Sequence, residues 1–133
     1  MNNKEELQER SLTFAVAITG LTRVMRDGVN GRGPADQLSR CATSVGANYR
    51  AACRARSRAE FISKLGIVVE EIDEAVYWLE LATRSGLTAP ANSQDLLDEA
   101  QQLRAIFAAS YGTARKNHQL AQKRRRRPKS PNL

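Results

Sequence analysis

Residues 57–87 read Ser-Arg-Ala-Glu-Phe-Ile-Ser-Lys-Leu-Gly-Ile-Val-Val-Glu-Glu-Ile-Asp-Glu-Ala-Val-Tyr-Trp-Leu-Glu-Leu-Ala-Thr-Arg-Ser-Gly-Leu. Within them Phe61, Leu65, Val68, Ile72, Ala75, Leu79 and Ala82 alternate spacings of four and three, which keeps them on one side of an α-helix over three heptads. Ser57 with Glu60 three residues later is a capping box, and Gly86 followed by Leu87 has the composition of a Schellman ending. The stretch predicts one helix over about 57–85, roughly 43 Å long at 1.5 Å per residue. Its apolar stripe needs other helices lying lengthwise against it.

Those helices are legible on both sides. Upstream, Leu7, Ser11, Phe14, Ile18, Leu21 and Met25 predict a helix over about 4–27, opened by Asn3 with Glu6 and stopped by a left-handed Gly28. After the loop Gly28-Val29-Asn30-Gly31-Arg32-Gly33, Pro34 suits a first helical position. Leu38, Cys41, Val45, Asn48, Tyr49 and Ala52 set the second helix over about 34–54. Downstream of Leu87-Thr88-Ala89-Pro90-Ala91, Asn92 or Ser93 caps a fourth helix over about 93–119, with Asp95, Asp98 and Glu99 near its positive end. Its stripe is Leu96, Ala100, Leu103, Phe107, Ser110 and Ala114. No strand pattern competes. The fold class is all-α, an antiparallel up-down-up-down four-helix bundle over residues 1–120, because that arrangement hides four apolar stripes with short connections.

Charge is distributed unevenly. The chain has 133 residues with 21 Lys and Arg against 14 Asp and Glu, a net charge of +7. Eight of the cations are Arg115, Lys116, Lys123, Arg124, Arg125, Arg126, Arg127 and Lys129, and no acid follows Glu99. Residues 1–114 therefore hold 13 cations against 14 acids, so the basicity belongs to the C-terminal end. Apolar periodicity stops near Leu120, and residues 121–133, with Pro128 and Pro131, read as a disordered basic tail. The mixed charge of the first ten residues gives no secretory leader. The longest apolar run, Phe14 to Ile18, is far short of a membrane span of about 18 residues. A cytoplasmic protein with no membrane partner is expected.

Residue chemistry argues against an enzyme. His118 is the only histidine, Cys41 and Cys53 are twelve apart, and there is no Gly-rich phosphate loop. A zinc site lacks partners, a Ser or Cys nucleophile lacks a base, and the Glu-x-x-His pairs of di-iron bundles are missing. No catalytic residue, metal, cofactor or small-molecule substrate is expected. Two surface patterns remain. On the third helix Ile67, Glu71, Glu74, Trp78 and Leu81 repeat the four-three spacing on nearly the opposite side from the core stripe, which points to an oligomer interface anchored by Trp78. On the second helix Arg40, Arg50 and Arg54 fall within about 80° of one another. They suit phosphate contacts, pairing with the Glu71 and Glu74 edge of another subunit, or plain solvation.

The second and third helices also carry a resemblance. Gln37, Arg40, Ser44, Val45 and Asn48 match the pattern Gln-(x)2-Arg-(x)3-Ser-apolar-(x)2-Asn. Together with Arg56-Ser57-Arg58-Ala59-Glu60-Phe61 and Tyr77-Trp78-Leu79-Glu80-Leu81, this resembles the bacterial four-helix-bundle proteins related to those encoded in ribosomal RNA intervening sequences. The likeness spans roughly residues 10–117. Where many members continue into Asn-Ile-Ala-Glu-Gly, this chain has Tyr49, Arg50, Ala51 and Ala52, so no role of that Glu or Gly transfers. The resemblance implies a homopentameric ring without catalytic activity. A related branch, the accessory proteins of diversity-generating retroelements, implies basic pentamers that engage nucleic acid. The resulting expectation is a non-enzymatic homo-oligomer that binds RNA or DNA through Arg40, Arg50, Arg54, Arg115, Lys116 and Lys123 to Arg127. Its rival is a protein-interaction ring whose arginines are used up between subunits.

Overall fold

The chain folds as its four apolar stripes require. A computed structural model describes residues 3–127, and within them the order is α1 (Asn3–Arg26), α2 (Arg32–Cys53), α3 (Arg58–Arg84) and α4 (Pro90–Arg126), with no strand. Each stripe turns inward. Phe14, Ile18 and Met25 of α1, Leu38, Cys41 and Val45 of α2, Leu65, Ile72 and Leu79 of α3, and Leu103 and Phe107 of α4 are all buried in one core. The Tyr49 and Phe107 rings meet there with centroids 5.0 Å apart. Burial of such side chains contributes roughly 1.5–3 kcal/mol each and supplies most of the stability of the bundle.

Connections are short, and their local chemistry refines the predicted ends. The Ser57 hydroxyl caps α3 by accepting from the Glu60 N–H at 3.1 Å, while the Glu60 carboxylate accepts from the Arg56 N–H at 3.3 Å, one residue before the cap. Gly86 ends α3 at φ +78 with its N–H on the Thr83 carbonyl, and Thr88, one residue later than in a Schellman motif, closes onto Ala82. Gly28 is not the left-handed stop expected of it. Asn30 takes that conformation, at φ 60, and Gly31 is required where the loop folds back, since a Cβ there would sit 1.8 Å from the Met25 carbonyl oxygen.

Three other boundaries differ. Helix α2 begins at Arg32, because Pro34 is tolerated anywhere in a first turn whose N–H groups have no helical acceptor. Helix α4 begins at Pro90, with Ala89 at its N-cap. Ser93 is instead buried and shares a 2.8 Å hydrogen bond with Thr83 across the α3–α4 contact. At the far end α4 does not stop near residue 119 but runs on through Arg126. Leu120 to Arg126 contains no Gly, Pro or β-branched residue, and cations in a last turn are favoured by the helix dipole. The expected disordered tail is therefore helical over 121–126, and residues 128–133 lie outside the described residues. Ser110 is exposed, and the inward stripe passes through Tyr111 instead.

Candidate nucleic-acid interface

An antiparallel bundle sorts its termini by end. The start of α1, the end of α2, the start of α3 and the second half of α4 come together, as the recess lined by Lys4, Leu7, Tyr49, Phe61 and Ser110 shows. Lys4 sits over the Phe61 ring, 5.7 Å from its centroid. In α4, Asp73 to Arg104 and Gly66 to Tyr111 are cross-helix neighbours, so Arg58 of α3 comes level with about residue 119. Beyond it α4 overhangs the bundle by roughly 10 Å at 1.5 Å per residue.

This end gathers cations. Arg50, Arg54, Arg56 and Arg58, from the end of α2 to the start of α3, are all exposed. Arg50, Arg54 and Arg56 line one recess with Ala47, Ala51 and Glu60. On α4 every cation from Arg115 to Arg127 is exposed. Tyr111, Ala114, His118 and Ala121 form a half-buried stripe facing α3. Arg115, Lys116, Lys123 and Arg126 fall within about 100° of one another on a neighbouring side of the helix, with Arg115 at its Tyr111 edge. The Tyr111 ring packs over Gly66, 3.4 Å from where a Cβ would stand. The Arg115 guanidinium lies over the same ring, 5.5 Å from its centroid. Arg125 continues the angle of the half-buried stripe past the end of the bundle, and Arg124 leaves the helix about 100° from it. Sequence reasoning missed Tyr111 in this surface, and saw Arg56 and Arg58 only as the end of an acid-free run that begins at Gln37. Tyr111 lies on another helix and carries no signal until the topology brings it to this end.

Arg40 belongs to a different place. Its guanidinium donates to Glu74 at 2.7 Å and to Glu71 at 3.2 Å within the same chain. The arginine stripe of α2 is thereby split, with Arg40 paired and Arg50 and Arg54 open. The same contact corrects the view that Ile67, Glu71, Glu74, Trp78 and Leu81 lie nearly opposite the core. All five are half-buried on the flank of α3 that abuts α2, and Trp78 packs on the core with its ring edge-on to Tyr77 at 5.1 Å. The Trp78 Nε1 is shielded and makes no hydrogen bond among the described residues. Ligand atoms of Cys41, Glu71 and Glu74 lie within 4.8 Å of one another. Arg40 already compensates both carboxylates there, and the thiol donates to the Leu38 carbonyl at 3.4 Å. Burial, and then the two carboxylates, push the Cys41 thiol up to about 12, so it stays neutral and is a poor ligand.

The family model described as 23S rRNA-intervening sequence protein matches residues 3–109. The chain belongs to that family. A 23S rRNA-intervening sequence protein is thus the frame for its bundle, and the arm from Arg115 onward lies beyond the matched segment. A crystal structure of a protein of unknown function from the S23 ribosomal protein family of Bacteroides thetaiotaomicron is similar, with a TM-score of 0.74 and 31% identity over 79% of this chain and 97% of that one. No curated protein matches the chain. Among the described residues no helix is long and apolar enough to cross a membrane.

Proposed function

We propose that this intervening-sequence family protein is a non-enzymatic, cytoplasmic RNA-binding bundle that holds the phosphate backbone at its cationic end. The observation that supports this most is the α4 arm. It is acid-free after Glu99, helical through Arg126, and exposes Arg115, Lys116 and Lys123 to Arg127 at the same end of the bundle as Arg50 and Arg54. Guanidinium and ammonium groups spaced along a helix neutralise phosphates without reading bases, so affinity is salt-dependent and weakly sequence-dependent. Because the arm is helical, its cations meet RNA as an ordered array and less ordering entropy opposes binding than for a disordered tail.

Self-association multiplies this effect. A homopentamer, as the family resemblance implies, presents several arms on one particle and raises their effective concentration. Ile67, Trp78 and Leu81 are the α3 residues left for such a contact, since Glu71 and Glu74 are engaged by Arg40. Anisotropy titration of a labelled RNA, with the full chain and with a chain ending at Leu120, tests the reading. A clear loss of affinity and a shallower salt dependence on truncation are expected. Equal affinity and equal salt dependence would sink it in favour of a protein-interaction ring.

A further inference from the structure

The cationic end holds a recess as well as charge. Helices α1 and α4 pack against each other less extensively than the other neighbouring pairs, and a space of roughly 400 Å³ opens between them there. That volume falls in the range of about 300–1,000 Å³ taken by small-molecule sites. Its apolar wall is Leu7 of α1, Tyr49 of α2, Phe61 and Leu65 of α3, and Ile106 of α4. Tyr49 and Leu65 are buried and the other three half-buried. Lys4, Glu6 and Ser110 add exposed polar groups to the lining.

Aromatic side chains are scarce in this chain, with three Phe, three Tyr and one Trp, yet Tyr49, Phe61 and Tyr111 all lie at this end. Two of those rings carry a cation above them. The Lys4 ammonium is 5.7 Å from the Phe61 centroid, and the Arg115 guanidinium 5.5 Å from that of Tyr111. Lys4 is exposed and Phe61 half-buried, so the ammonium covers a ring that stays partly open to water. A bare phosphate would gain nothing from these rings or from Glu6. A nucleobase suits both, since its π face stacks on an aromatic ring and an exocyclic amino group donates to a carboxylate.

We infer that the recess takes an unpaired base of a bound strand, stacked on Phe61, while the Lys4 ammonium swings from the ring to an adjoining phosphate. The inference rests on the reading of this end as a phosphate-backbone surface, and adds the class of RNA that it takes, one with unpaired bases. Bases inside an A-form duplex are stacked on one another and out of reach, whereas those of single strands, loops and bulges can be splayed into a protein pocket. Lys4 is fitted to the exchange, because an ammonium on a flexible four-carbon stem can trade one partner for another. Cations that track the backbone beside rings that stack bases are the general means of holding a single strand.

Anisotropy titration of the full chain with two labelled RNA strands of equal length tests this, one strand of cytosine nucleotides and one with the same ribose-phosphate backbone but no bases. The base-bearing strand binds more tightly by on the order of tenfold. The slope against log salt is the same for both, because they offer the same phosphates. Phe61→Leu keeps the wall apolar without an aromatic face, and Ser110→Leu puts bulk at an exposed position of the lining. Each brings affinity for the base-bearing strand down towards that of the abasic one and leaves the abasic strand unaffected, whereas Phe61→Tyr retains the preference. Urea unfolding of the variants separates these effects from loss of the fold. A fluorescent purine analogue placed in the strand is quenched on binding to the unaltered chain and not on binding to Phe61→Leu. Equal affinity for the two strands with salt dependence intact, or a preference unmoved by both Phe61→Leu and Ser110→Leu, would overturn the base site and leave the backbone reading standing. No affinity for either strand would overturn both.

Discussion

Arg40 shows how a single side chain changes meaning between sequence and structure. With Arg50 and Arg54 it looks like one element of a phosphate-binding stripe, yet it bridges Glu71 and Glu74 across the α2–α3 contact. Arg40→Ala should therefore lower the urea midpoint by leaving two neighbouring carboxylates without their cation, and should leave RNA affinity unchanged. Arg50→Ala with Arg54→Ala should do the reverse, and paired denaturation and binding titrations check both. Cys41 gives a second prediction. Its thiol is buried and pushed up to about 12 from an ordinary value of 9.0, by burial first and the nearby carboxylates second. At pH 8 a thiol-specific reagent should modify half-buried Cys53 and spare Cys41 until the chain unfolds. The folded state favours the protonated thiol. Its contribution is complete below pH 9 and is lost as pH rises from about 9 towards about 12.

At the scale of the element, α4 divides into two parts with different physics. From Pro90 to Phe107 it is held by core burial, whereas from Leu120 to Arg126 it stands on helix propensity, the favourable dipole and continuity with the helix before it. Gln122→Pro should consequently lower mean helicity without lowering the urea midpoint, and should weaken RNA binding by disrupting the ordered array. Circular dichroism and denaturant titration separate the two effects. The opposite holds at the start of α3, where the Ser57 hydroxyl satisfies the Glu60 N–H. Ser57→Ala should reduce stability by about 1 kcal/mol, measured by urea unfolding, with no change in RNA affinity.

For the whole molecule, the net charge of +7 is best understood as a polarity. Antiparallel packing sends the end of α2, the start of α3 and the overhang of α4 in one direction, so cations from three helices share one end. If that end binds the backbone, removal of residues 121–133 takes away Lys123 to Arg127 and Lys129. The slope of log affinity against log salt on single-stranded RNA should then fall by up to about 4. Anisotropy titrations at several salt concentrations measure it. A uniformly basic particle would lose affinity without so large a share of its salt dependence residing in thirteen residues.

Much of this was written in the sequence. The seven residues from Phe61 to Ala82 and the matching stripes of the other helices settle the all-α class and the core, because a period near 3.6 is a local property of each segment. The Ser57 cap and the charge count by position are local too. The tertiary structure alone decided which side chains on different helices meet. It joined Arg40 to Glu71 and Glu74, put Arg56 and Arg58 at the same end of the bundle as the α4 arm, and left Leu12 and Val16 of α1 in the open. Helical spacing fixes the angle at which a side chain leaves its own axis. Only the packing of the other helices determines whether that angle points at a neighbour or at water.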